Sequence, residues 1–241
     1  MTFEGQTWWL IGASEGLGRA ICEQMTAKGA TMILSARSQD RLRELCAEFG
    51  GCSALPLDVT DPVSVRYSFD LAQKADGIIY CAGFYEPVSA PEWDAEAVER
   101  MIDVNFTGAV RVLSHIVPHF ARRGHGRIML IGSLSGYRGL PGAIGYGASK
   151  AALMHLAENL LVDLGGSGVS VQIANPGFID TRLTKKNDFA MPQMMTPDAA
   201  ARHVVRALER GRFETAFPRP FAWLFTMGRY LPRTWFNRIF K

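Results

Sequence analysis

Tyr146 and Lys150 stand four residues apart in YGASK, and Ser133 lies thirteen residues upstream of the tyrosine, at the end of the apolar run GRIMLIGS (126–133). On a helix, positions i and i+4 share a face, so the phenol and the ammonium point into one space. A phenol with an ordinary pKa of about 10 is a weak acid–base catalyst at neutral pH until a nearby cation stabilises its phenolate. Lys150 supplies that cation. The Ser133 hydroxyl adds a hydrogen bond to an oxygen on which negative charge develops, and the three together suit proton transfer to and from a carbonyl oxygen. By itself a Tyr-x-x-x-Lys pair is as ordinary on a helix surface as in a site, so its company decides.

That company begins at the front of the chain. TWWLIGA (7–13) runs into GASEGLG, with glycines at 12, 16 and 18 and with Ser14 and Leu17 between them. Glycine lets the backbone turn tightly and approach a pyrophosphate, while the free amides and dipole of a following helix attract the anion. The spacing Gly-x-x-x-Gly-x-Gly reads equally as a plain tight turn. At the second strand end stands Ser35-Ala36-Arg37, where an NAD site, or the S-adenosylmethionine site of a methyltransferase, needs an acid for the ribose hydroxyls. Arg37 instead offers a fork to a 2′-phosphate, which favours NADP(H) over NAD(H); an exposed arginine at a helix start is the plainer alternative. Asp40 lies beyond it, suited to the dipole of the next helix. Asp58 and Val59 in LDVTD follow a third strand, and the Asp58 carboxylate either accepts from an adenine amino group or caps a helix. Cys81, Ala82 and Gly83 make a small-residue turn after GIIY, and Asn105 sits in VNFTG.

These positions meet only if strands carry them to one edge. Short apolar runs alternate with helical spacing throughout: strands at 7–13, 31–36, 53–59, 77–83, 126–133 and 169–177, with helices near 19–30, 37–50, 95–122, 146–164 and 196–211. Thr196 is the expected N-cap of the last of these, Pro197 its first residue and Gly211 its stop. Strands apolar on both faces imply an α/β fold, a single doubly wound parallel-sheet (Rossmann-type) domain whose ligands bind beyond the strands' carboxyl ends. Residues 1–211 are expected to form the dinucleotide-binding and catalytic domain. Residues 212–241 follow as an aromatic, basic helical extension, not an independent domain.

In this order and spacing the motifs GASEGLG, Asp58, CAG (81–83), Asn105, Ser133, YGASK and NPGFIDT (175–181) resemble the short-chain dehydrogenase/reductase family of the classical type, over about residues 5–211. The resemblance implies an enzyme moving a hydride between NADP(H) and a carbonyl or secondary alcohol, with Tyr146 as general acid or base. It further implies that Ser133 bonds the substrate oxygen, that Lys150 holds the nicotinamide ribose and lowers the phenol pKa, and that Asn105 supports a water relay. Pro176, Gly177, Ile179 and Thr181 are then expected at the nicotinamide end. Two departures stand out: Tyr80-Cys81 replaces the family's usual Asn-Asn, removing a side-chain bond that steadies the central strand, and Ile11 replaces a common threonine. A methyltransferase has no use for the Ser133, Tyr146 and Lys150 set. A nucleotide-binding regulator on the same fold, the remaining alternative, would typically have lost the tyrosine or lysine.

The substrate segment implied by the resemblance is 182–197, where Phe189, Met191, Met194 and Met195 suit an apolar ligand or fill a lid. Tyr137 and Leu140 add apolar surface. The net charge of +3 lacks the basic face that nucleic acid requires. Charge is nevertheless gathered: residues 212–241 carry six basic residues against one acid, and nine of the chain's 25 aromatics. This tail is expected to pack on the body or a second copy, to cap the pocket, or to contact an anionic membrane. Four cysteines without Cys-x-x-Cys spacing suggest reduced thiols, no metal site and a cytoplasmic protein, peripheral on the inner membrane face if the tail touches lipid. The N-terminus does not read as a signal peptide, and no run reaches the length of a membrane span. By the resemblance, a homodimer or homotetramer pairs through the long helices.

Overall fold

The computed structural model describes residues 3–189, 191–230, 232, 234 and 236. Strands β1 (Thr7–Ile11), β2 (Thr31–Ser35), β3 (Cys52–Ala54), β4 (Gly77–Tyr80), β5 (Gly126–Ile131), β6 (Val169–Pro176) and β7 (Glu214–Phe217) form one sheet. Their order is β3-β2-β1-β4-β5-β6-β7 and every pair is parallel. Helices α1 (Gly16–Thr26), α2 (Gln39–Phe49) and α7 (Pro197–Arg210) contribute to the core on one face. Helices α3 (Pro62–Ala72), α5 (Gly108–Arg123) and α6 (Ile144–Asp163) cover the other.

Side-chain alternation along β1 explains the two cores. Trp8 and Leu10 enter the layer under α1 and α7, while Trp9 and Ile11 enter the layer under α5 and α6. A strand apolar at every position must be covered on both faces, and the doubly wound arrangement is the result. Ile11, where a threonine was the family's usual residue, is only 1% exposed and acts as a core side chain.

Three elements differ from the sequence reading. The third strand ends at Ala54 rather than running to Val59. Leu55 and Leu57 still donate to Leu34 and Ala36, but Pro56 between them has no N–H to offer the ladder. The long helix expected over 95–122 is interrupted: α4 (Ala95–Ile102) leads into a single wide π-turn, Asp103–Thr107, before α5 resumes. Residue 212 onward does not begin with helix. Gly211 stops α7 in the left-handed conformation as expected, and ETAF (214–217) then joins the sheet as its seventh strand before the short α8 (Phe221–Thr226). Four residues at a sheet edge carry too little alternation to be read in advance; their pairing with β6 makes them a strand.

Phe217 anchors this edge. It is 1% exposed, stacks on the His203 ring at 4.7 Å, and its carbonyl accepts from Gly177 N–H at 2.8 Å. Emptying a buried phenylalanine site costs about 3–5 kcal/mol, which in a chain of this size moves Tm by roughly 10 °C. Phe217→Ala is therefore expected to lower Tm by about that amount in calorimetry, whereas a change of a degree or two would show that the edge strand contributes little.

Candidate active site

At the carboxyl ends of the strands lies a cleft of about 1320 Å³. It opens between β1 and β4, where the strand order reverses direction, as expected for a ligand crevice in this architecture. Gly12, Ser14, Gly16, Leu17, Gly18, Arg37, Asp58, Val59, Cys81, Ala82, Gly83, Tyr146, Lys150, Pro176, Gly177, Ile179 and Thr181 all line it. Residues spread over most of the chain thus share one surface. Ser133 and Asn105 lie against this wall without forming it.

The glycine loop has distinct local reasons for each glycine. Gly12 has φ +88°, and a Cβ there would stand 2.5 Å from the Ala82 nitrogen, so two backbones meet without room for a side chain. At Gly18 a Cβ would overlap the Gly12 carbonyl oxygen. The loop delivers the start of α1 to the cleft, where no side chain caps the helix and no acid sits in its first turn. Unpaired amides and the positive end of the helix dipole therefore offer themselves to an anion. This cradle fits a dinucleotide pyrophosphate.

Around Arg37, the structure adds residues that the sequence reading missed. Ser38 caps α2 and Arg41 lies one turn on, held by Glu15 at 3.2 Å; both line the cleft beside Arg37. Ordinary helix-start residues leave no sequence signal for this convergence. Asp40, in the first turn of α2, is mostly exposed and pairs loosely with Arg43. Asp61, and not Asp58, caps α3. Asp58 instead accepts from the Thr60 amide at 2.9 Å and its hydroxyl at 2.7 Å. Partial burial pushes its pKa up, but the Thr60 bonds and the Arg37 and Arg100 guanidiniums outweigh burial and lower it.

Asn105 occupies the π-turn between α4 and α5 and is fully buried. Its Oδ1 accepts from Phe84 N–H at 2.7 Å, while its Nδ2 donates to the Phe84 carbonyl at 2.9 Å and to Ser149 Oγ at 3.0 Å. One side chain thus ties the chain leaving β4 to the residue before Lys150. Tyr80 ties the same region from below, donating to the Val104 carbonyl at 2.6 Å. The departure from Asn-Asn at 80–81 is compensated: the strand loses one side-chain bond and gains another, to the π-turn.

Lys150 is 3% exposed and donates from Nζ to the Ile131 carbonyl at 2.8 Å, 5.7 Å from the centre of the Tyr146 ring. Burial lowers its pKa to about 8, with the Cys81 thiol opposing. Tyr146 keeps partial solvent access at the cleft floor, yet enclosure pushes its phenol up to about 12, and a hydrogen bond with Ser133 only partly offsets this. Ser133 also accepts from Ser135 N–H at 3.2 Å, and its Oγ lies 2.9 Å from the Ser135 hydroxyl. Tyr85 packs edge-on against Tyr146 at 5.1 Å.

The apolar residues expected on the substrate side divide. Met195 is buried in the core beneath α7 and does not face the cleft. Phe189 is partly exposed and packs edge-on against Phe178, and Met194 faces solvent. Met191 Sδ accepts from Asn187 Nδ2. Leu140 and Tyr137 pack against a cluster formed by Leu134, Phe221, Ala222, Phe225 and Phe236. Tyr137 also donates to Glu214 at 2.5 Å, and Asn175 donates to both.

The buried lysine has a thermodynamic signature. Its folded pKa of about 8 lies below the ordinary 10.5, so between these values the unfolded chain binds a proton that the folded chain has released. Stability from this group therefore rises with pH across that window, by at most about 3 kcal/mol, and the burden of the charge is present in full below it. Denaturant titrations at matched pH should show wild type gaining on Lys150→Met from pH 8 to pH 10. A constant difference between the two proteins across the window would mean that the ammonium is solvated.

Residues 6–191 match the family model of the short chain dehydrogenases. An uncharacterised oxidoreductase of Myxococcus xanthus is 34% identical over 236 residues, covering 95% of this chain and 93% of its own length. The 3-oxoacyl-acyl-carrier-protein reductase of Escherichia coli is 30% identical over 190 residues, 77% of this chain and 78% of the relative. Among solved structures, a short-chain dehydrogenase from Sphingobium yanoikuyae in complex with NADPH superposes with a TM-score of 0.84 at 27% identity, over 93% of each chain. On these matches, and with the cleft and fold described above, the chain belongs to the short chain dehydrogenase family and is an oxidoreductase.

Proposed function

We propose that this enzyme uses NADP(H), in preference to NAD(H), to interconvert a carbonyl group and a secondary alcohol on an apolar small molecule. The observation that carries this reading is the meeting of Tyr146, Lys150 and Ser133 at one end of a cleft whose other end is the glycine loop. When bound, the nicotinamide supplies or takes the hydride. Tyr146 gives its phenolic proton to the substrate oxygen in reduction and takes the alcohol proton in oxidation. With a phenol pKa of about 12, the tyrosine holds its proton at neutral pH and is ready as an acid. Ser133 donates to the same oxygen. Lys150 presents its ammonium to the nicotinamide ribose, and Asn105 is a positioning residue, setting the backbone at Phe84 and the helix that carries Tyr146.

Pro176, Gly177, Ile179 and Thr181 form the wall at the nicotinamide end, while Val59 and the CAG turn flank the nucleotide base with Asp58. The regulator alternative is not favoured, because every acid–base group of the set is retained. A 3-oxoacyl reductase among the relatives supports a carbonyl substrate, and the Leu134–Phe178–Phe221 neighbourhood supports an apolar one. All four cysteines are unbridged, which supports a reducing, cytoplasmic setting. The exposed Ile102, Val110, Leu161 and Val162 on α4, α5 and α6 are the face through which copies are proposed to pair as a dimer or tetramer.

Tyr146→Phe is expected to abolish nearly all turnover in a screen of ketones and secondary alcohols followed by nicotinamide absorbance, with NADPH affinity close to unchanged. A variant keeping more than a small fraction of wild-type kcat would remove Tyr146 from the role of acid.

The cofactor preference rests on Arg37, with Ser38 and Arg41 beside it, and on the NADPH complex of the 27% identical neighbour. A charge-assisted contact to a 2′-phosphate is worth about 1.5–3 kcal/mol, or roughly 10–150-fold in affinity. In titrations, Arg37→Ala should lose that factor for NADPH and little for NADH. A wild type that binds NADH more tightly overturns the preference.

A further inference from the structure

Cys22 and Cys52 stand thirty residues apart in the chain, a separation that carries no signal of a pair, yet the fold sets their sulfurs 3.8 Å apart. Cys22 lies on α1 and is fully buried, whereas Cys52 opens β3 and keeps partial access to solvent. The Cys52 thiol donates to the Gly50 carbonyl at 3.0 Å. Its hydrogen is thereby committed, so the hydrogen between the two sulfurs is that of Cys22. This bond favours the Cys52 thiolate and lowers its pKa, with partial burial opposing. The same bond, together with burial, pushes the Cys22 thiol far above its ordinary value. Cys46 on α2 borders the same core cluster, and burial pushes its thiol up.

The two thiols are unequal in the way that stepwise oxidation requires: one is accessible and ionises readily, and a second, sheltered one lies in contact with it. A hydroperoxide reaches Cys52 from water and meets Cys22 only through its neighbour. The Cys52 thiolate attacks one peroxide oxygen, the O–O bond breaks, and the sulfur becomes a sulfenic acid while the other oxygen leaves as alcohol or water. The sulfur gives up two electrons and the peroxide takes them. Cys22 sulfur then attacks Cys52 sulfur; the S–S bond forms, the S–O bond breaks, and hydroxide departs as water with the Cys22 proton. Two thiols and one hydroperoxide thus give one disulfide, one alcohol or water, and one water. Closure draws the sulfurs from 3.8 Å to about 2.05 Å. Strand β3 can supply that movement, because it is three residues long, lies at the sheet edge beside β2, and begins directly after Gly50 and Gly51. A Cβ at either glycine would meet no heavy atom closer than 3.9 Å, so the turn that leads into Cys52 is loosely surrounded.

We propose that Cys52 and Cys22 form a peroxide-responsive modification site, with Cys52 taking the oxygen and Cys22 closing a reversible disulfide within the folded chain. The bridge fastens the middle of α1, whose start forms the anion cradle, to the edge strand β3. It encloses β2 and α2, and with them Arg37, Ser38 and Arg41, in a covalent loop of about thirty residues. Thiol reductants reopen it by exchange. Tyr146, Lys150 and Ser133 take no part, so the site stands independently of the proposed hydride chemistry.

Mass spectrometry of the full folded chain after brief treatment with hydrogen peroxide tests the site without reference to turnover. The expected result is the loss of two hydrogens, a Cys22–Cys52 linked peptide in the unreduced digest, and full reversal by dithiothreitol. The bridged protein should also melt several degrees above the reduced one, because the closed loop restricts the unfolded chain. Cys22→Ala should give no bridge and leave a sulfenic acid on Cys52 that dimedone traps, while Cys46→Ser should bridge as wild type does. Should Cys22→Ala fail to fold, the linked wild-type peptide decides by itself. Wild type that stays reduced at a peroxide concentration that oxidises a free model thiol overturns the proposal, and so does a linkage through Cys46 or between two copies in place of Cys22. A bridged protein that melts below the reduced one would show that the bond forms only at the expense of the fold, and overturns it equally.

Discussion

Two backbones touch where β1 and β4 leave the sheet. At Gly12 a side chain would stand 2.5 Å from the Ala82 nitrogen, and the φ of +88° there excludes any comfortable replacement. This contact closes the base of the cleft and sets how far apart the glycine loop and the CAG turn can lie. Because the sheet order reverses between β1 and β4, the connections from these strands leave to opposite faces, and the space between them is left open. The uncapped start of α1, the small-residue turn after β4 and the basic start of α2 all take their positions from that geometry.

The chemistry at the other end depends on a second set of ties. Asn105 bonds the Phe84 backbone in both directions and reaches Ser149, while Tyr80 reaches the Val104 carbonyl. Both act on the π-turn of Asp103–Thr107, where a regular helix would have carried Asn105 to a different angle. The wide turn is thus the local irregularity that lets one amide join β4 to α6. Burial then imposes opposite demands on two neighbouring groups: the lysine is pressed toward neutrality and the tyrosine kept protonated. Such a pairing holds an acid with its proton and a cation near its titration point within one enclosed space.

The C-terminal segment joins the body through backbone as much as through side chains. Strand β7 extends the sheet, its Phe217 carbonyl bonds Gly177, and Phe221 packs on Phe178. A segment that begins as an edge strand and continues as a helix with one face inward and one outward couples the Gly177 end of the cleft to the protein's surface.

Much of this was legible in the order of residues. Short continuous apolar runs dictate a parallel sheet covered by helices on each side, and the strand ends, with the helices that follow them, then had to bring GASEGLG, Asp58, CAG, Asn105, Ser133 and YGASK to one edge. Local chemistry also determined Thr196, Pro197 and Gly211 as the start and stop of α7, because capping and left-handed φ act within a single turn. What depends on distant neighbours was decided only by tertiary structure. Asp61 rather than Asp58 caps α3, Tyr80 replaces the missing strand bond by reaching across to Val104, and Met195 turns into the core. Ser38 and Arg41 come beside Arg37, and ETAF becomes a strand only because β6 offers it a ladder. In the same way, the pKa values of Tyr146 and Lys150 follow from enclosure and not from spacing: an i, i+4 pair places two groups on one face, but only the packed walls around them decide how much water either one keeps.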